Sequence, residues 1–211
     1  MNDLGNILLN TRRYVAPTPP NGFIWNGVNL TQFLPHGLVS ASVTTVSGHN
    51  VITMIDSGNP LNNCCLSASA GLIQDGSVIS WYSNLPKEVY VFFGTDSTGA
   101  GPLWIIGYTS PWFFSLEGWG TGGNWDSIGS PVNYTQASDV ISGSIWDLDI
   151  GLTFHHFVLT ISGGGTTANV SIDGTDWGTL SLDGPLKGPY FGFFQEGNYG
   201  SLYIYDLTVV S

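Results

Sequence analysis

From about residue 23 onward the chain is cut into short apolar runs by clusters of Gly, Pro, Asn, Asp and Ser, and no helical apolar period lasts longer than two turns. The runs are Leu38–Val46, Val51–Ile55, Val78–Tyr82, Val89–Phe93, Leu103–Tyr108 and Trp112–Leu116. Further on come Phe154–Ile161, Ala168–Ile172, Thr179–Leu182, Tyr190–Phe194 and Leu202–Val210. They are rich in β-branched and aromatic residues, which fit a pleated, half-buried surface. Between them, Ser162-Gly163-Gly164-Gly165, Asp173-Gly174 and Asp183-Gly184 supply residues that tolerate positive φ, as tight hairpins require. The pattern predicts an all-β chain, a two-sheet antiparallel β-sandwich of the jelly-roll type. No repeat points to a propeller or solenoid.

With 211 residues, one sandwich domain accounts for the length. Residues 1–22 read as an N-terminal arm closed by the Pro-rich linker Ala16–Gly22, and residues 23–211 as the sandwich. An unpaired polar arm frays unless something holds it. Here the holder is a neighbouring subunit or the domain's own sheet edge, and Leu8, Leu9, Arg12, Arg13 and Tyr14 are the residues that would make the contact.

Charged residues are only 9% of the chain, against about a quarter in ordinary globular proteins, while 42% are hydrophobic. That balance excludes intrinsic disorder and leaves Ser, Thr, Asn, Gly and Gln to build the solvent-facing side. The net charge of −11 rests on 15 acids against 4 bases, Arg12, Arg13, Lys87 and Lys187. Four bases make no phosphate-binding patch, so nucleic acid and anionic membrane surfaces are excluded as partners. No stretch approaches the ~20 apolar residues of a membrane span. In Met1–Tyr14 the apolar run Ile7-Leu8-Leu9 precedes its two arginines, the reverse of a secretory signal. A chain working outside a cell is then expected to leave by lysis or as part of a particle. Cys64 and Cys65 are neighbours, an arrangement that makes no disulfide framework and leaves idle thiols or a bond between chains. The Asn-x-Ser/Thr triplets at Asn29, Asn133 and Asn169 carry little weight in a chain this rich in Ser and Thr.

The last sixty residues have a distinctive order. The strand His155–Ile161 leads through a Gly-rich turn to Ala168-Asn169-Val170-Ser171-Ile172-Asp173-Gly174. Gly178–Leu182 and Tyr190–Phe194 follow, and Gly200–Val209 closes the chain. This resembles the C-terminal half of concanavalin A-like lectin/glucanase domains, including laminin-G-like and pentraxin-like members. The resemblance implies the two-sheet jelly roll and says much less about function. Independently of it, His155 alternates with Phe157, Leu159 and Ile161 on one strand face, which makes it a satisfied core histidine more readily than a ligand.

Glycosidases of that superfamily carry closely spaced Glu and Asp on one strand, because two carboxylates must flank the scissile bond. Glu88, Glu117 and Glu196 are isolated from one another and no Glu-x-Asp-x-x-Glu pattern occurs. Asp147 and Asp149, two apart, read as an exposed acidic pair or a metal pair. The chain is therefore read as non-catalytic. No cofactor is expected. Calcium stays open through Asp56 and Asn59 of one loop and Asp96 of another, whose oxygens suit a hard cation but match no defined calcium loop. The four histidines lack zinc-ligand spacing.

The segment Trp112–Asp126 holds Trp119 and Trp125 among glycines, with Asn124 and Asp126 beside them. Sugars stack apolar faces on aromatic rings and give their hydroxyls to amides and carboxylates, so these four residues form a candidate glycan site. The competing reading makes the tryptophans core or subunit contacts. Two functions follow. The chain is a virion-surface protein, a phage-type decoration or fibre component and a homo-oligomer that meets other coat subunits through its arm and faces outward with a lectin-like jelly roll. Alternatively it is a free-standing carbohydrate-binding lectin module. A glycoside hydrolase is the third and weakest reading. The expected location is virion or extracellular.

Overall fold

The computed structural model describes residues 22–36, 40–55, 64–84, 89–99, 101–110, 113–121, 134–144, 153–181, 186–195 and 201–211. Among them there is no helix. The strands in chain order are β1 (Gly22–Ile24), β2 (Leu34–His36), β3 (Ser40–Val46), β4 (His49–Ile55), β5 (Cys64–Ser69), β6 (Val78–Ser83), β7 (Val89–Thr95) and β8 (Gly101–Ser110). They continue with β9 (Phe113–Thr121), β10 (Tyr134–Ser144), β11 (His155–Ser162), β12 (Thr167–Ile172), β13 (Thr175–Ser181), β14 (Tyr190–Gln195) and β15 (Ser201–Val210).

Two antiparallel sheets result. The 8-stranded sheet runs β13-β12-β11-β6-β15-β4-β3, with β1 pairing the end of β15. The 7-stranded sheet runs β10-β9-β8-β7-β14-β5-β2. Their inner faces meet in one core. Trp81 of β6 stacks on Phe157 of β11 with centroids 5.2 Å apart and meets Phe193 of β14 edge-on at 5.5 Å, which ties one sheet to the other. The Trp81 indole N–H donates to Ser83 Oγ at 3.0 Å, so the buried ring leaves no polar atom unsatisfied. Phe23 of β1 makes a second tie, edge-on to Phe191 at 4.9 Å and to Phe33 at 5.5 Å.

Strand alternation decides what is inside. In β11 the burial alternates strictly, with His155, Phe157, Leu159 and Ile161 inward and His156, Val158, Thr160 and Ser162 outward. The expected two-sheet sandwich is observed, and β11, β12, β14 and β15 fall where the sequence analysis places strands. Four strands were not legible there, namely β1, β2, β5 and β10. The other correction concerns Trp112–Asp126. The chain continues as β9 through Thr121, beyond the run Trp112–Leu116 read from sequence, so Trp119 sits in a paired strand.

Candidate functional site

The 7-stranded sheet has a core side and an outer side. Val91, Phe93, Phe191, Phe193, Leu66 and Ala68 belong to the core, which sends the intervening positions to the outer side. One row of Cα partners runs across all seven strands through Gln136, Trp119, Leu103, Phe92, Gly192, Ser67 and Leu34. The adjacent row carries Val140, Glu117, Ile105, Tyr90, Phe194, Cys65 and His36. Registers thus bring Trp119, Glu117 and Gln136 together at the β9–β10 end, although they are far from the other strands in sequence. In the middle of the first row Phe92 and Ser67 are fully buried, so the face is covered there. Gly192 explains part of this. A Cβ at that position would meet the Leu66 carbonyl oxygen and come within 2.6 Å of Phe92 Cζ, so the glycine is what lets the Phe92 ring lie across the sheet.

Of the four glycan candidates, only the backbone of Trp119 falls within the described residues; Asn124, Trp125 and Asp126 lie outside them. The arm residues Leu8, Leu9, Arg12, Arg13 and Tyr14 also lie outside, as do Asp56 and Asn59 and the carboxylates of Glu88, Glu196, Asp147 and Asp149. Asp96 is described. Its Oδ1 accepts from the Thr98 N–H at 2.8 Å and the Thr98 hydroxyl at 2.6 Å, closing an Asx turn. Among the described residues no three His, Cys, Asp or Glu side chains gather as a metal-binding group.

The 8-stranded sheet shows a feature that sequence reasoning missed. On its outer side His156, Tyr82, Tyr205 and His49 form a continuous stack across β11, β6, β15 and β4. Successive centroids lie 4.4, 4.8 and 4.2 Å apart and planes within 19°. The spacing is close to that of the strands themselves. Phe154 meets Tyr205 edge-on at 4.9 Å, and His156 Nε2 pairs with Ser80 Oγ at 2.8 Å. Tyr205 is nearly buried, and this desolvation, followed by the neighbouring Tyr82 and Asp206, holds its hydroxyl above the ordinary tyrosine range. Both faces of Tyr82 and of Tyr205 are taken by neighbouring rings. The array is therefore a brace across four strands, not an open platform for a sugar ring. The only sequence signal for it was the shared parity of Phe154 with His156 and of Tyr203 with Tyr205.

His155 illustrates the same point at the core edge. It is buried, and its Nδ1 lies 2.7 Å from Asp173 Oδ2, while Asp173 Oδ1 accepts the His156 N–H at 2.8 Å. It is a satisfied core histidine, held by the carboxylate of the β12–β13 turn.

This strand order, two antiparallel sheets over one core, is a jelly roll similar in fold to concanavalin A-like lectin/glucanase domains. No family model and no curated protein matches the sequence. Solved structures do match in fold. The carbohydrate recognition domain of Emp47p aligns with a TM-score of 0.56 at 11% identity, covering 89% of this chain and 96% of that one. The carbohydrate-binding module CBM66 from Bacillus subtilis gives 0.57 at 11% identity over 87% and 98%. A glycoside hydrolase family 16 endo-glucanase from Bacteroides ovatus gives 0.58 at 10% identity over 89% and 99%. The likeness is not confined to the last sixty residues; it spans nearly the whole described sandwich.

Proposed function

We propose that the chain is a carbohydrate-binding, lectin-like module without glycosidase activity, and that its ligand lies against the outer side of the 7-stranded sheet at the β9–β10 end. The observation that carries the reading is the ladder that sets Trp119 beside Gln136 on one row and Glu117 on the next. An aromatic ring, an amide and a carboxylate are the group types that stack on a sugar and take its hydroxyls. Two of the three fold neighbours are named for carbohydrate recognition or binding, which supports the same class. The hydrolase neighbour raises the enzymatic alternative. Against it stands the sequence, in which Glu88, Glu117 and Glu196 are isolated from one another and no Glu-x-Asp-x-x-Glu pattern occurs.

The test is retention on a printed array of plant, animal and bacterial glycans, with the wild type compared with Trp119→Ala and Trp125→Ala. Binding by the wild type, weakened about tenfold or more by Trp119→Ala at an unchanged melting temperature, is the expected result. A substitution that lowers the melting temperature instead would make the ring part of the core and remove it from the site. The location, on a virus particle or free outside a cell, is a separate proposal. It is supported by a surface poor in charge and by the arm, and is tested by deleting the arm.

A further inference from the structure

From Glu88 to Leu186 the chain has no Lys or Arg, and every fixed charge in that stretch is a carboxylate. The stretch contains β7 to β13, and with them the end of the 7-stranded sheet where Trp119 and Gln136 pair. None of the seven strands of that sheet carries a Lys or Arg. Two acidic residues do fall on them, both at this end. Glu117 on β9 has Ile105 and Val140 as its Cα partners, and Asp139 on β10 lies in the register shift between Gln136 and Val140.

The bases nearest in sequence do not compensate. The Lys187 N–H donates to the Gly94 carbonyl at 2.6 Å, beside the end of β7, and β7 is two strands from β9. Two strand spacings are roughly 10 Å, about one screening length at physiological salt. Lys87 lies outside the described residues. It precedes β7, whose first residue Val89 pairs with Ile106, three residues along β8 from Leu103, the partner of Trp119.

This balance sorts saccharides by charge. A carboxylate accepts hydrogen bonds from hydroxyls, which every neutral sugar offers. It shares its sign with sialic acid, uronic acid and sulfate ester groups and repels them, and like charges set against an unwanted ligand are an ordinary means of discrimination. The net charge of −11 adds repulsion at longer range, so an acidic glycan is opposed on approach as well as in contact.

We infer that the site takes uncharged saccharides and rejects acidic ones, with Glu117 as the residue that sets the preference. The inference rests on the carbohydrate-binding reading above and names the ligand class within it.

The full chain is tested on printed glycan pairs that differ in charge. These are an N-glycan with and without its sialic acids, oligogalacturonate and its methyl ester, and a galactan with and without sulfate, printed beside neutral glucan and chitin oligomers. Retention is expected on uncharged members alone, and the acidic partner of a retained glycan should bind about tenfold more weakly or worse. Raising the salt from about 20 mM to about 500 mM should leave the neutral affinity unchanged and narrow that gap. Glu117→Gln, checked for folding by circular dichroism, should narrow it too. An acidic glycan held as tightly as its neutral partner overturns the inference and leaves the lectin reading standing. An affinity that falls with salt, the mark of an attractive cation, does the same, and Arg12→Ala with Arg13→Ala then shows whether the arm supplies it. An unchanged gap in folded Glu117→Gln takes the preference away from that residue. Retention of no glycan at all overturns the lectin reading itself.

Discussion

Asp173 is the residue on which the C-terminal hairpin depends, and alanine there should cost the protein about 3 kcal/mol. The side chain makes two bonds, Oδ2 to Nδ1 of the buried His155 at 2.7 Å and Oδ1 from the His156 N–H at 2.8 Å. A charge-assisted bond of this kind is worth about 1.5–3 kcal/mol when shielded, and the carboxylate here is 47% exposed, so about 1 kcal/mol is the better figure for the His155 contact. The bond to the His156 amide adds about 1 kcal/mol. The backbone adds a third contribution. Asp173 sits at φ 52°, which an alanine occupies at a cost of about 1 kcal/mol and an asparagine or glycine with little strain. The three substitutions therefore separate the effects. Asp173→Ala should lose about 3 kcal/mol, Asp173→Gly about 2, and Asp173→Asn about 1, since the amide keeps an acceptor and the turn conformation. Urea unfolding followed by tryptophan fluorescence reads all three as midpoints at constant slope. If alanine and glycine cost the same, the strain argument is wrong. If all three fall within about 0.5 kcal/mol of wild type, the carboxylate does not hold the strand at all.

Other consequences are equally direct. Tyr205 holds its proton more tightly folded than unfolded, so its contribution is fully present below the unfolded value of 10.0 and is lost as the pH rises from there through the folded value. The melting temperature should fall in that alkaline range, and Tyr205→Phe should flatten the fall; an unchanged slope would contradict the assignment. The Asp176 carboxyl is held below its ordinary value of 3.8, first by the Gly178 N–H and then by Asn169, so its contribution is present above 3.8 and is lost as the pH drops through the folded value. Asp176→Asn should reduce the acid sensitivity of the β12–β13 hairpin, read by amide exchange. Gly192→Ala has to displace the Leu66 carbonyl or the Phe92 ring, and a loss of about 2 kcal/mol, or roughly 4–8 °C in melting temperature, is expected. Deleting residues 1–20 should leave the melting temperature unchanged and reduce the mass of any larger assembly. Equal masses by light scattering with and without the arm would remove it from the account.

How much of this was legible in the sequence follows from which interactions are local. Strands such as β11, β12 and β15 announce themselves through alternation and through turns like Asp173-Gly174, so their positions were readable. β10 was not, because Thr135-Gln136-Ala137-Ser138-Asp139 has weak strand propensity and is held in the sheet by pairing with β9. β2 carries a proline, tolerable only because it lies at an edge. The strand position of Trp119 was not legible for a related reason. The glycines around it suggested a loop, whereas Gly118 and Gly120 pair with Trp104 and Pro102 on β8. The ring stack of His156, Tyr82, Tyr205 and His49 joins residues from four strands distant in sequence, and only the register reveals it. The placement of His155 on the inner face was visible from alternation alone, while its partner Asp173 was not.

The central claim, a carbohydrate-binding jelly roll that does not cleave its ligand, is most directly tested by incubating the full chain with the glycan it retains from the array. Affinity by calorimetry and product by reducing-end assay are measured on the same sample. Saturable binding with no new reducing ends, and binding lost in Trp119→Ala, is the predicted result. Release of reducing ends would make the chain a hydrolase. Absence of binding to every glycan tested would contradict the lectin reading.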